Sequence, residues 1–168
     1  MEQCAQSLHL CDELKKEGVR LALGQGKAVI LEASGRCMRP FLRAGDSIQI
    51  DRAEEKDLKI GDIIVFEGEA PQAHIYSHRI IKKLGGLFLS KGDACFWPDT
   101  PFGYEKILGR VNGRKRKGHF FRFNAFCRII GFLLCYLRLS WFCFAFLENI
   151  RSPQLIPAKV SKLLHPNK

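Results

Sequence analysis

The sequence predicts a mainly β fold, partly closed, with an N-terminal amphipathic helix before it and an apolar, basic helical tail after it. Three observations carry that expectation. Six short runs rich in β-branched and aromatic residues lie between positions 27 and 112, separated by glycine and charged turns. No long helix-period pattern interrupts them. The charge is also divided: residues 1–113 carry 16 Lys+Arg against 16 Asp+Glu, and residues 114–168 carry 11 against 1. A chain of 168 residues, 46% of them apolar, has room for one compact domain and an appendage. The expected division is therefore a helix over 1–26, a strand-bearing domain over 27–113 and a basic, aromatic region over 114–168.

From Cys4 to Leu23, the residues Leu8, Cys11, Leu14 and Leu21 fall near helical spacing with charged residues between them, which predicts an amphipathic helix rather than a membrane anchor. The predicted strands are Ala28–Leu31, Ser47–Asp51, Asp62–Phe66, His74–Lys82, Leu87–Ser90 and Ile107–Val111. Short strands without long intervening helices favour a mostly antiparallel, partly closed sheet.

The tail begins with Arg114-Lys115-Arg116-Lys117 and continues into an aromatic and aliphatic stretch from Phe120 to Leu147. Arg128 and Arg138 interrupt it, so it lacks the run of about 18 uncharged residues that a membrane span needs. Positive charge flanks both ends, with Arg151, Lys159 and Lys162 beyond it. That pattern favours a helix lying in a membrane interface, attached through residues 114–150 on the cytoplasmic face, over a true span or burial against a protein partner. Ile156–Leu164 is predicted to form a short basic helix. Cys127, Cys135 and Cys143 read first as small packing residues of an apolar helix, with acylation or redox sensing as the alternative.

Seven cysteines with no Cys-x-x-Cys pair and no secretory signal argue against a disulfide framework and for a reducing compartment. The basic run beside aromatics could track phosphates and stack bases. Its many aliphatic neighbours instead point to lipid and argue against a nucleic-acid partner.

The residues that carry chemistry begin with Ser34-Gly35-Arg36-Cys37-Met38-Arg39-Pro40, and the run continues to Gly45-Asp46. In order after it come Gly61-Asp62-Ile63-Ile64-Val65-Phe66, His78-Arg79-Ile80-Ile81, Lys91-Gly92-Asp93 with Asp99, and Leu108-Gly109-Arg110-Val111. This ordered set, covering roughly Ala28 to Asn112, resembles the signal peptidase I and LexA-like peptidase superfamily. Cysteine stands at the nucleophile position usually held by serine. Histidine stands at the base position, as in the endoplasmic-reticulum signal peptidases.

The resemblance implies a peptidase that needs no metal or cofactor and takes a peptide or precursor protein as an added β-strand. Cys37 is the implied nucleophile and His78 the base; a thiol and an imidazole ionise closely enough to pair near neutral pH. His74 is the alternative base, because strand alternation puts it on the face of His78. Asp99 is the first candidate to orient the histidine and Asp93 the second. For the oxyanion, the backbone N–H of Cys37 carries over. Gly35 stands where a serine donor is often found, leaving Ser34 or another N–H to substitute. Met38 and Pro40 are expected to shape the substrate groove, or else to serve as core packing and a rigid turn. A catalytically inactive, peptide- or protein-binding relative of the same fold is the alternative function.

Overall fold

The computed structural model describes residues 14–68 and 74–137. The tail beyond Leu137, including Cys143 and Ile156–Leu164, lies outside the described residues, as do Leu8 and Cys11. The described chain is mainly β: a curled antiparallel half-barrel sheet with two helices. Helix α1 covers residues 14–24. The strands are β1 (Val29–Glu32), β2 (Ser47–Asp51), β3 (Ile63–Glu67), β4 (Ile75–Leu84), β5 (Leu87–Lys91), β6 (Phe102–Gly103), β7 (Ile107–Arg116) and β8 (His119–Arg122), and α2 (Ala125–Tyr136) follows them. The six predicted runs all form strands; β6 and β8 are additions.

The strands lie in the order β1-β2-β7-β3-β4-β5-β6, with β8 returning along β7. Between β7 and β4, the strand β3 is buried on both faces, which is why it reads as the unbroken apolar run Ile63-Ile64-Val65-Phe66. Successive side chains point to opposite faces. Ile63 and Val65 enter one core with Ile48, Ile50 and Val111. Ile64 and Phe66 enter a second with Ile80, Phe88 and Phe102. Full burial of each such side chain contributes about 1.5–3 kcal/mol.

Helix α1 packs on the first core through Val19 and Leu23, with Lys16 buried beside them. Leu14 and Leu21, expected on the inner face, are instead exposed. Val19 and Leu23, four residues apart, form a ridge that the leucine spacing alone did not reveal. Lys16 lies one turn earlier on that face.

The sheet also runs past residue 113. Ser47 to Gln49 of β2 pair with Lys115 to Gly113 of β7, and β7 turns at Lys117-Gly118 into β8. Both turn residues have positive φ, 48° and 82°, the combination that lets a two-residue turn follow the strand twist. The basic run is thus partly absorbed by the fold. Arg116 donates to both carboxylate oxygens of Asp46 at 2.6 Å, and Asp46 also accepts from the Arg43 N–H at 2.8 Å. Burial pushes the Asp46 carboxyl up, but these bonds outweigh it and hold the carboxyl below its usual range. The segment Phe120–Arg122, expected to begin a helix, is strand because it pairs with β7. The helix starts only at Asn124, whose side chain accepts the Cys127 N–H at 2.9 Å as an N-cap.

Candidate active site

Cys37 lies in a tight turn between β1 and β2. Leu42 N–H donates to Met38 O at 2.9 Å within this turn. Met38 and Leu42 are buried in the first core and pin the turn from beneath, leaving the Cys37 thiol half-buried. Met38 is therefore a core residue, since a side chain 2% exposed cannot wall an open groove. Pro40 is exposed after a cis Arg39–Pro40 bond. Ser34 and Gly35 are also exposed, just ahead of the thiol, and a Cβ at Gly35 would stand 3.5 Å from Cys37 Sγ. Among the described residues no acceptor takes the Cys37 N–H, leaving it available to an oxyanion.

The imidazole comes from β4. His78 is buried, opposite Ile64 of β3 in the sheet register, and its ring is packed near Phe66 and Tyr76. His78 Nδ1 lies 2.7 Å from Asp99 Oδ2. A carboxylate only accepts, so Nδ1 carries the proton and Nε2 is left for the nucleophile. Asp99 is fixed in turn by Ser90, whose hydroxyl donates to Oδ2 at 2.5 Å and whose carbonyl accepts the Asp99 N–H at 2.9 Å. His74 is exposed and meets the edge of Tyr76; it is His78 that is paired with Asp99.

Burial of His78 opposes its charge. The bond to Asp99 and the neighbouring Cys37 thiol outweigh that cost and raise the imidazole to about 9. His78 Nε2 is nevertheless buried without a formed hydrogen bond among the described residues. Cys37 thus lies near enough to act on the charge of the ring, without a formed bond to Nε2. The imidazolium stabilises the fold fully below the ordinary histidine value of 6.5, and that contribution is lost as pH rises through about 9. In an NMR titration, His78 is expected to titrate near 9, and Asp99→Asn to move it down toward 6.5. A midpoint near 6.5 in the wild type would rule out this electrostatic arrangement.

Arg79, next to His78 on β4, points to the opposite face. Its Nε and Nη2 donate to the two oxygens of Asp93, each at 2.7 Å, and its Nη1 donates to Gly61 O at 2.7 Å. Phe41 lies under the guanidinium, 4.6 Å from carbon to ring centre. Asp93, expected as the second candidate to orient His78, is thus committed to Arg79. Helix α2 covers this pair at Gly131, where any Cβ would overlap the guanidinium. Lys91 Nζ ties down the end of α2 by donating to Cys135 O at 2.9 Å.

Behind the thiol, Ala94 N–H donates to Cys37 O at 2.7 Å. A Cβ at Gly92 would stand 2.8 Å from that same oxygen, so the Lys91-Gly92-Asp93 block can seat the Cys37 turn only with glycine there. Sequence reasoning missed Ser90 and the role of Gly92. The signal for the first was a lone hydroxyl in the apolar run Leu87-Phe88-Leu89-Ser90.

A cleft of about 550 Å³ lies away from Cys37, on the face of Arg79, between β7, β8 and α2. Arg110, Arg122 and Arg128 line it, with Asp62 as the opposing carboxylate. Neither Cys37 nor His78 lines it. No protein-family model and no curated protein matches the chain.

Proposed function

We propose that the chain is a thiol peptidase of the signal-peptidase and LexA-like kind, cleaving a peptide or precursor protein at a membrane surface. One observation carries the reading: a buried histidine is held by Asp99 at one nitrogen and electrostatically coupled to Cys37. The attacking species is the Cys37 thiolate, paired with a protonated His78. The thiolate attacks the scissile carbonyl, with the Cys37 N–H donating to the oxyanion. His78 gives its Nε2 proton to the leaving amine, and a thioester remains on Cys37. Neutral His78 then takes a proton from water as the water attacks the thioester, and the thiolate departs. No step needs a metal or cofactor.

The edge strand β1 leads directly into the Cys37 turn. An extended substrate added along it runs toward the thiol. Membrane placement is supported by α2, on which Phe126, Ile129, Leu133 and Tyr136 are exposed, and by the exposed Phe120 and Phe121 of β8. The arginine-lined cleft between these elements is complementary to anionic headgroups. No helix among the described residues is long and apolar enough to cross a membrane.

The test presents the full chain with precursor peptides on vesicles containing anionic lipid. Mass spectrometry should find an acyl thioester on Cys37, and the protein should float with anionic but not zwitterionic vesicles. Intact precursors together with an unacylated Cys37 would overturn the peptidase reading. Equal flotation with neither vesicle type would remove the membrane.

A further inference from the structure

A second thiol stands beside the first. Cys95 lies in the turn after β5, and the backbone there is bonded to the nucleophile turn through Ala94 N–H and Cys37 O. A Cβ placed on Gly92 would be 2.6 Å from Cys95 Sγ and 3.1 Å from Cys37 Cβ. Cys95 Sγ and Cys37 Cβ therefore border the same space, one that a single methyl group on Gly92 would fill. Both are half-buried, so solvent reaches both. The remaining described cysteines, Cys127 and Cys135, are on α2, and Cys135 is fully buried.

We propose that Cys37 and Cys95 form a thiol-modification site, in which a peroxide oxidises Cys37 and Cys95 resolves the product to an intramolecular disulfide. The Cys37 thiolate attacks one peroxide oxygen, forming a sulfenic acid and releasing hydroxide or an alkoxide. Cys95 sulfur then displaces the sulfenic oxygen, which leaves as water with the Cys95 proton. Each sulfur loses one electron and the peroxide gains two. A dithiol reductant reverses the bridge.

The electrostatics divide these roles. Burial and then the adjacent Cys37 charge push the Cys95 thiol up to about 11, so Cys95 does not compete for the oxidant. Conversion of Cys37 to a neutral sulfenic acid removes one of the charges holding Cys95 protonated. A single cysteine at this position would pass onward to the irreversible sulfinic and sulfonic acids; a neighbouring thiol intercepts it at the reversible stage.

The experiment treats the folded full chain with a molar excess of hydrogen peroxide, alkylates remaining thiols, and maps linked peptides without reduction. A Cys37–Cys95 bridge is expected, and dithiothreitol should restore Cys37 alkylation fully. In Cys95→Ser the same treatment should give sulfinic Cys37, with at least tenfold less thiol recovered. The wild-type map decides alone if that variant misfolds. A bridge to another cysteine, or equal over-oxidation in both proteins, would overturn the proposal. The readout is sulfur chemistry rather than cleavage, so it stands or falls independently of the peptidase reading.

Discussion

Cys37→Ala is expected to reduce precursor cleavage by roughly 10⁴-fold or more, to a level indistinguishable from background, while leaving the fold intact. The expectation follows from the proposed mechanism, in which Asp99 and His78 only activate and relay protons for the sulfur, so without it they have nothing to act on. Stability should hold because Cys37 only borders the first core, and removing one sulfur from a half-buried position leaves Met38 and Leu42 to pin the turn. A second readout is independent of substrate. Cys37 is among the groups that raise His78 to about 9, so the variant should bring the imidazole down even where no cleavage is measured. Undiminished cleavage by a folded Cys37→Ala protein would end the thiol mechanism. An unmoved His78 would show that the sulfur and the ring are not coupled.

How much of this was legible in the sequence depends on whether a residue's partner is fixed locally or by register. The apolar run of β3 and the alternation in β2 declare themselves, because burial dictates their side chains one by one. Cys37, His78 and Asp99 are recognisable as chemical types in order along the chain, and the fold brings Asp99 to His78. Asp93 is different. Its proximity to Asp99 in sequence makes either a plausible partner for the imidazole, and only the pairing of Arg79 with Lys91 shows that Asp93 emerges on the arginine side of the sheet. The hairpin of β7 and β8 was hidden for another reason. Four consecutive cations read as a solvated tail, whereas Arg116 has a buried carboxylate waiting seventy residues earlier in Asp46. Nor could the sequence reveal the methyl-sized gap above Gly92, which depends on two turns meeting.

Asp93→Ala is expected to destabilise the protein by about 3–5 kcal/mol, the largest loss of stability from any single polar substitution in the site. Both partners of the Arg79–Asp93 pair are 1% exposed. Removing the carboxylate leaves the guanidinium charge buried beneath α2, with Gly61 O and the Phe41 face as its remaining described partners. Water cannot easily replace Asp93, because Gly131 brings the helix backbone down onto the arginine. The pair's own net contribution is smaller than that loss. Burial pushes the Asp93 carboxyl up against the pull of Arg79, a sign that desolvation offsets much of the attraction. The double variant Arg79→Met with Asp93→Leu should therefore recover most of the stability lost by Asp93→Ala. Urea denaturation of the three proteins measures this through the midpoint at constant slope. The pair also seats α2 over the back of β4, so Asp93→Ala should loosen the strand that carries His78 and lower cleavage beyond what unfolding accounts for. A double variant no more stable than Asp93→Ala would mean that α2 recognises this ion pair by its shape and hydrogen bonds. A single variant as stable as wild type would mean that the arginine charge finds solvent after all.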